Sequence, residues 1–272
     1  MPLPNLMTVD VGGTPIAIRD TETEGPAVVL LHGLGGSSQT WAFQFRALAD
    51  HFRVIAWDMP GYGASGGFVR DNPTARQYAY ALDAVLDLLE VGKVHVVGQS
   101  VSALIGASYA AEHPDRMLSY VFCQGLAGLG GLPNDDRAEQ RKARLSAFRA
   151  LGPERFAEEG GRGVIGIGAP SMITELAVTI MKRVPEKAYC QAIEMMAQTD
   201  FFEIAPRIDC PALVIAGGLD PVAPVEVCEA ARKALVGASM SVIDGAGHYG
   251  CMENPAAFNA ILTSFFKSCE KG

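Results

Sequence analysis

The chain has 272 residues, 30 of them acidic and 22 basic, for a formal net charge of −8. A hydrophobic share of 49% against 19% charged residues excludes a disordered chain and allows a sizeable core without disulfide staples. The acidic balance argues against a nucleic-acid partner, because phosphate backbones call for clustered Lys and Arg.

Met1–Asn5 shows no basic stretch followed by an apolar one, so no secretory signal is read there. Leu6–Asp10 and Ile16–Asp20 read as an antiparallel hairpin around Gly12-Gly13. Ala27–His32 is a short, almost continuous apolar run that ends at Gly33, as expected of a strand buried on both faces. Val54–Trp57 is a second such run and stops at Asp58-Met59-Pro60-Gly61. Helical spacing of Tyr78, Leu82, Val85, Leu86 and Leu89 predicts a helix over Thr74–Val91. Val94–Val97 is a third strand, ending at Gly98, and a helix runs from about Ser100 to Pro114. Leu118–Cys123, Ala212–Ala216 and Met240–Ile243 are further strands, and Phe258, Ile261, Leu262 and Phe265 mark a terminal helix.

Alternating strands and helices predict an α/β fold with a mostly parallel sheet of about eight strands. The alternation breaks between about Leu126 and Ile208. Helices are predicted there over Ala138–Leu151, Glu154–Glu159, Ser171–Arg183 and Glu186–Gln198. We read residues 126–207 as an inserted helical cap and residues 1–125 and 208–272 as the core. Gly125–Gly131 and Pro206–Pro211 bound the insertion, and the glycines suggest a mobile entry. The basic stretch Arg137–Arg149 is interrupted by acidic residues and alanines and reads as a solvated helix face.

No apolar run is long enough to cross a membrane. The six cysteines form no C-x-x-C pair, so a reduced, cytoplasmic protein is expected. The five histidines lack metal-ligand spacing, and no metal is expected.

The chemistry-bearing signal is Gly98-Gln99-Ser100-Val101-Ser102, between a strand and a helix. That is the setting of a G-x-S-x-G nucleophile elbow, whose sharp turn needs small flanking residues. Ser102 stands where the motif has its last glycine. A serine hydroxyl is a weak nucleophile and needs a base held by a carboxylate. His248, in the glycine-rich loop after the last strand, is the candidate base. Asp220, in Gly217-Gly218-Leu219-Asp220-Pro221 just past a strand, is the candidate acid, with Asp209 and Asp244 as rivals. The order Ser, Asp, His and the position of all three at strand carboxyl ends fit one site. His32-Gly33-Leu34-Gly35-Gly36 is a candidate oxyanion turn, with the Leu34 and Val101 amides as donors. His32 is expected to fix that loop, and the Asp58 turn to be structural. Arg162 is a candidate partner for a substrate carboxylate. Met172, Met181, Met195 and Met196 fit a pliable pocket or ordinary core, and Cys251 is read as packing.

Together these segments resemble the α/β-hydrolase superfamily over about residues 10–125 and 208–268. They are Leu31–Gly36, Asp58–Ser65, Gly98–Ser100, Gly217–Pro224 and Gly247-His248 with Glu253 and Pro255. The oxyanion turn and the passage from Ala188 to Gly217 look like 3-oxoadipate enol-lactonases. Ser100–Gly106 looks like the strigolactone- and karrikin-receptor hydrolases. The resemblance implies a cofactor-free serine hydrolase acting on a small-molecule ester or lactone. A receptor on a hydrolase scaffold, a carbon–carbon hydrolase and a perhydrolase remain alternatives. The oligomeric state is not read from the sequence.

Overall fold

A computed structural model describes residues 3–270. Strands β1 (Leu6–Val11) and β2 (Thr14–Asp20) form the expected hairpin, with Gly12 and Gly13 both at positive φ. Next come β3 (Ala27–Leu31), β4 (Arg53–Trp57), β5 (Val94–Gln99), β6 (Met117–Cys123), β7 (Ala212–Gly217) and β8 (Ser239–Ile243). They build one eight-stranded sheet in the order β1-β2-β4-β3-β5-β6-β7-β8. The β1–β2 and β2–β4 pairs are antiparallel and every other pair is parallel.

The apolar runs of β3, β5 and β7 are buried at every position, as their composition requires. Alternation then sorts the side chains. Val28 and Leu30 pack with Phe45 of α1 (Ala42–Leu48) and Phe258 of α10 (Pro255–Cys269). Val29 and Leu31 pack on the other face with Leu82 of α2 (Ala75–Leu88) and Leu104 of α3 (Ser102–Glu112). Each fully buried Val or Leu contributes roughly 1.5–3 kcal/mol, so these two layers fix the sheet position of every loop that follows a strand.

Helix α2 starts where the sequence places it, because Thr74 and Gln77 make a reciprocal capping box. Between β6 and β7 lie α4 (Asn134–Phe156), α5 (Ser171–Met181), α6 (Glu186–Gln198) and α7 (Phe201–Ile204). Helix α4 is interrupted at Gly152 (φ 67°), just before Pro153, which matches the expected division into two helices. The glycine-rich entry is not a free hinge. Leu129 and Gly130 donate to the carbonyls of Met196 and Thr199, and Phe201 donates to Ala127. Gly128 and Gly130 are glycines because a Cβ at either would meet the Thr199 backbone. After β7 come α8 (Val225–Ala234) and, after β8, α9 (Gly250–Glu253), neither of which the apolar pattern predicts.

Neighbours of β3 are reached in opposite directions, β4 on one side and β5 on the other. That reversal is a topological switch point, and it opens a crevice at the carboxyl ends of the strands.

Candidate active site

The elbow is built by β5. Its register with β3 pairs Leu31 with Gly98 and carries the turn after β3 alongside Gln99 and Ser100. Ser100 sits at φ 57°, a left-handed conformation unfavourable for an L-residue with a side chain. Three hydrogen bonds hold it there. Its N–H donates to Cys123, and its carbonyl accepts from Ala103 and Leu126. The tight approach of β5 to α3 explains Gly98, where a Cβ would lie 2.8 Å from the Ala103 Cα.

Ser102 fills the position of the missing glycine without a clash. Its buried hydroxyl donates to the His32 carbonyl, so the elbow and the turn after β3 are pinned together. His32 is fully buried and works as expected. Its Nε2 accepts from the Met59 amide at 2.9 Å and its Nδ1 donates to the Gly33 carbonyl at 2.8 Å. Burial pushes this imidazole below its ordinary value, against the pull of the Gly33 carbonyl and the Asp58 charge, and a neutral ring suits one donor and one acceptor bond. Asp58 accepts from the Ser38 amide at 2.8 Å, and Ser65 donates to its carbonyl, so the Asp58 turn is indeed a scaffold.

The β7–β8 register pairs Gly217 with Ile243 and sets the two remaining loops side by side. Gly218 and Leu219 donate to Ile243 and Ala246 across the gap. His248 Nε2 lies 2.9 Å from Ser100 Oγ, and Nδ1 lies 2.8 Å from Asp220 Oδ2. An ionised carboxylate only accepts, so Nδ1 carries the proton and Nε2 is free to take one from Ser100. The Asp220 side chain is wholly enclosed, and its Oδ1 accepts from the Val222 and Ala223 amides at 2.8 and 3.0 Å. The rivals lie elsewhere. Asp209 precedes β7 and Asp244 is exposed, and neither bonds His248.

Several residues to which the sequence assigns no role hold the histidine loop. Gln99 Nε2 donates to the His248 carbonyl. Buried Gln124 donates to the Gly247 carbonyl and accepts from the Gly250 amide. Glu253 accepts from the amides of Gly247, Tyr249 and Gly166 at 2.7–2.8 Å. Gly166 belongs to the segment between α4 and α5, and the His248 amide donates to Val164 in the same segment. The helical insertion is thus fastened directly to the loop of the histidine. Glutamine and glutamate side chains reaching backbone 4 to 149 residues away leave no common periodic signal.

A cavity of about 160 Å³ opens over Ser100 and His248. Leu34, Leu126, Phe156, Val164 and Met181 give it an apolar wall. Its volume falls below the roughly 300–1,000 Å³ of sites for drug-sized ligands. Among the described residues, neither the Leu34 nor the Val101 amide has a hydrogen-bond acceptor. Val101 begins the helical turn at φ −60°, ψ −30°. Of the four methionines singled out, Met181 lines the cavity, Met195 and Met196 belong to the core, and Met172 is exposed. Cys251 is buried packing, and that burial pushes its thiol up. Among the described residues, no group of three or more His, Cys, Asp or Glu is placed to hold a metal ion.

Arg162 is not brought to the triad. It lies outside the cavity wall, and its exposed guanidinium pairs with Glu158 and Glu175, which raise its pKa. The basic stretch on α4 is solvated as expected at Arg141, Lys142 and Arg149, with one exception. Leu145 and Phe148 form the buried face of the helix, and beside them half-buried Arg144 reaches the cavity.

Comparison with known proteins places the chain in context. A family model described as alpha/beta hydrolase fold matches residues 26–255. A putative carbamate hydrolase, RutD, of Enterobacter cloacae is 27% identical over 243 residues, spanning 87% of this chain and 90% of that protein. A thermophilic esterase from Thermogutta terrifontis has a similar structure, with a TM-score of 0.87 and 25% identity over 97% of this chain and 99% of its own. The enol-lactonase from Burkholderia xenovorans LB400 has a TM-score of 0.86 and 25% identity over 96% of this chain and 100% of its own. Among the described residues, no helix is long and apolar enough to cross a membrane.

Proposed function

The chain belongs to the alpha/beta hydrolase fold family, and from that premise we propose that it is a serine hydrolase of small carboxylic esters or lactones. One observation carries the reading. Ser100, His248 and Asp220 form an unbroken hydrogen-bonded chain at 2.9 and 2.8 Å beneath a small apolar cavity. The esterase and enol-lactonase among the similar structures support the substrate class.

In this reading His248 Nε2 takes the Ser100 proton as Oγ attacks the substrate carbonyl carbon. The carbonyl π pair moves onto oxygen, and the Leu34 and Val101 amides stabilise that oxyanion. Each such donor contributes about 2.7–4 kcal/mol to lowering the barrier. Asp220 holds the imidazole in its Nδ1–H tautomer and stabilises the imidazolium. The oxyanion collapses, the C–O bond to the leaving alkoxide breaks, and His248 returns the proton to it. Water, deprotonated by His248, then attacks the acyl–Ser100 ester, the C–Oγ bond breaks, and His248 returns the proton to Ser100 Oγ as the acid leaves. A lactone leaves as one hydroxy acid, because its leaving alcohol stays attached to the acyl group. Residues 126–207 act as the cap that shapes the cavity, through Leu126, Phe156, Val164 and Met181.

Steady-state hydrolysis of short 4-nitrophenyl esters and five- and six-membered lactones tests the reading. Wild-type protein should turn over repeatedly, and Asp220→Asn should lose about 10⁴-fold in kcat through the wrong imidazole tautomer. Retention of most activity by Asp220→Asn would defeat the assignment of the acid.

A further inference from the structure

The wall of the cavity holds a single Lys, Arg, Asp or Glu side chain, Arg144. The other arginines of α4 are all engaged. Arg141 pairs with Glu194, Arg149 with Glu186 and Arg155 with Glu159. Arg137 bonds the Asn134 side chain and the Gly130 carbonyl. Among the described residues, Arg144 alone of these five has neither a hydrogen bond nor an ion pair. It is half-buried, beside Leu126 and Phe156 in the wall and near Tyr189.

A guanidinium with five donors, partly removed from water and facing an apolar cavity, is costly unless an anion meets it. The planar fork suits a carboxylate, which it holds through two parallel hydrogen bonds. No carboxylate of the chain lines the cavity, since Asp220 is enclosed behind His248. The anion therefore has to come with the ligand. The cavity volume of about 160 Å³ falls below that of sites for drug-sized ligands, so the carboxylate and the reacting carbonyl must sit on one short skeleton.

We propose that Arg144 is the carboxylate-binding residue of this site and that the substrates are small esters or lactones bearing a free carboxylate. The inference rests on the serine-hydrolase reading for the reaction, but the binding step can be tested without turnover. The net charge of −8 repels an anion at long range, so discrimination falls to this one local contact.

The test has a binding arm and a turnover arm. Isothermal titration of glutarate into Ser100→Ala protein at low salt, and into Ser100→Ala/Arg144→Gln, reads binding alone. Loss of a charged hydrogen-bonded pair should weaken binding about 10- to 100-fold. The uncharged diamide of the same length should show no such difference. The turnover arm compares two anionic and neutral ester pairs. One pair carries the carboxylate on the acyl group (4-nitrophenyl hydrogen glutarate against 4-nitrophenyl pentanoate). The other carries it on the leaving alcohol (acetyl glycolate against ethyl acetate). In at least one pair, Arg144→Gln should lower the anionic-to-neutral ratio of kcat/KM about 10- to 100-fold, mainly through KM, and Arg144→Lys should restore part of it. Arg144-dependent glutarate binding without turnover of any ester would uphold the binding site and overturn the hydrolase reading. Glutarate binding that is absent in the single variant or equal in both proteins would overturn the proposal. So would unchanged ratios in both pairs.

Discussion

Ser100 is the residue whose geometry most constrains the account, and its strain can be measured by two substitutions that both abolish the nucleophile. Ser100→Ala and Ser100→Gly each remove the Oγ contact to His248, so that loss cancels when the two variants are compared. What differs is the Cβ at φ 57°. A left-handed residue with a Cβ costs roughly 1–2 kcal/mol, and glycine escapes that cost. Glycine in turn destabilises by about 0.4–1 kcal/mol through the greater freedom of its unfolded chain. The backbone cannot relax in the alanine variant, because bonds to Cys123, Ala103 and Leu126 fix it on both sides. The net expectation is that Ser100→Gly is more stable than Ser100→Ala by about 0.5–1 kcal/mol. At a residue with ordinary negative φ the sign is the opposite, so direction alone decides. Equilibrium urea unfolding followed by far-UV circular dichroism at pH 7 is the assay, with both variants fitted to a common m-value. A glycine variant less stable than the alanine variant by 0.5 kcal/mol or more would refute the strained elbow.

Two further outcomes follow from buried hydrogen bonds. Ser102→Ala leaves the His32 carbonyl without its donor, which should cost about 1–3 kcal/mol of stability and lower kcat more than it changes KM, because the turn carrying Leu34 loses its tie to the elbow. Unchanged kcat with lost stability would confine Ser102 to packing. His95 is fully buried against Ser119, and burial lowers its pKa to about 4 from an ordinary 6.5. Below pH 6.5 the unfolded chain takes up a proton that the folded chain refuses, so stability is complete above that pH and falls as pH drops towards 4. The whole loss is about 3 kcal/mol, at about 1.4 kcal/mol per pH unit. Urea unfolding of wild type and His95→Gln between pH 4 and 7 should show a flatter pH dependence in the variant, and parallel curves would contradict the burial argument.

The fold was legible where local chemistry dictates it. Runs such as Val28–Leu31 have one use in a folded chain, and Gly33 and Gly98 mark close approaches that no side chain fits. The helices α1 and α8 were not legible. Phe43, Gln44 and Phe45 break the apolar spacing of a helix only seven residues long, and Val225-Glu226-Val227 opens α8 with a strand-like alternation. The juxtaposition of Ser100, Asp220 and His248 was inferable from chain order and strand ends, since parallel strands bring those ends to one edge. What could not be read was long-range. The Ser102 bond to His32 spans 70 positions. Whether a guanidinium on α4 faces solvent or the cavity depends on where the insertion docks, which is set by Glu253 and Val164 at the histidine loop. The sequence singles out Arg162 and reads Arg144 as part of a solvated helix face, whereas Arg162 is paired with two glutamates and Arg144 lines the cavity.

The most direct test of the central claim is the intact mass of the protein after exposure to a fluorophosphonate, which reacts with activated serines. Wild-type protein should gain the mass of one phosphonyl group, Ser100→Ala should gain none, and His248→Ala should gain it far more slowly. A folded wild-type protein that stays unlabelled, or a Ser100→Ala variant that labels as fast as wild type, would contradict the assignment of Ser100 as nucleophile.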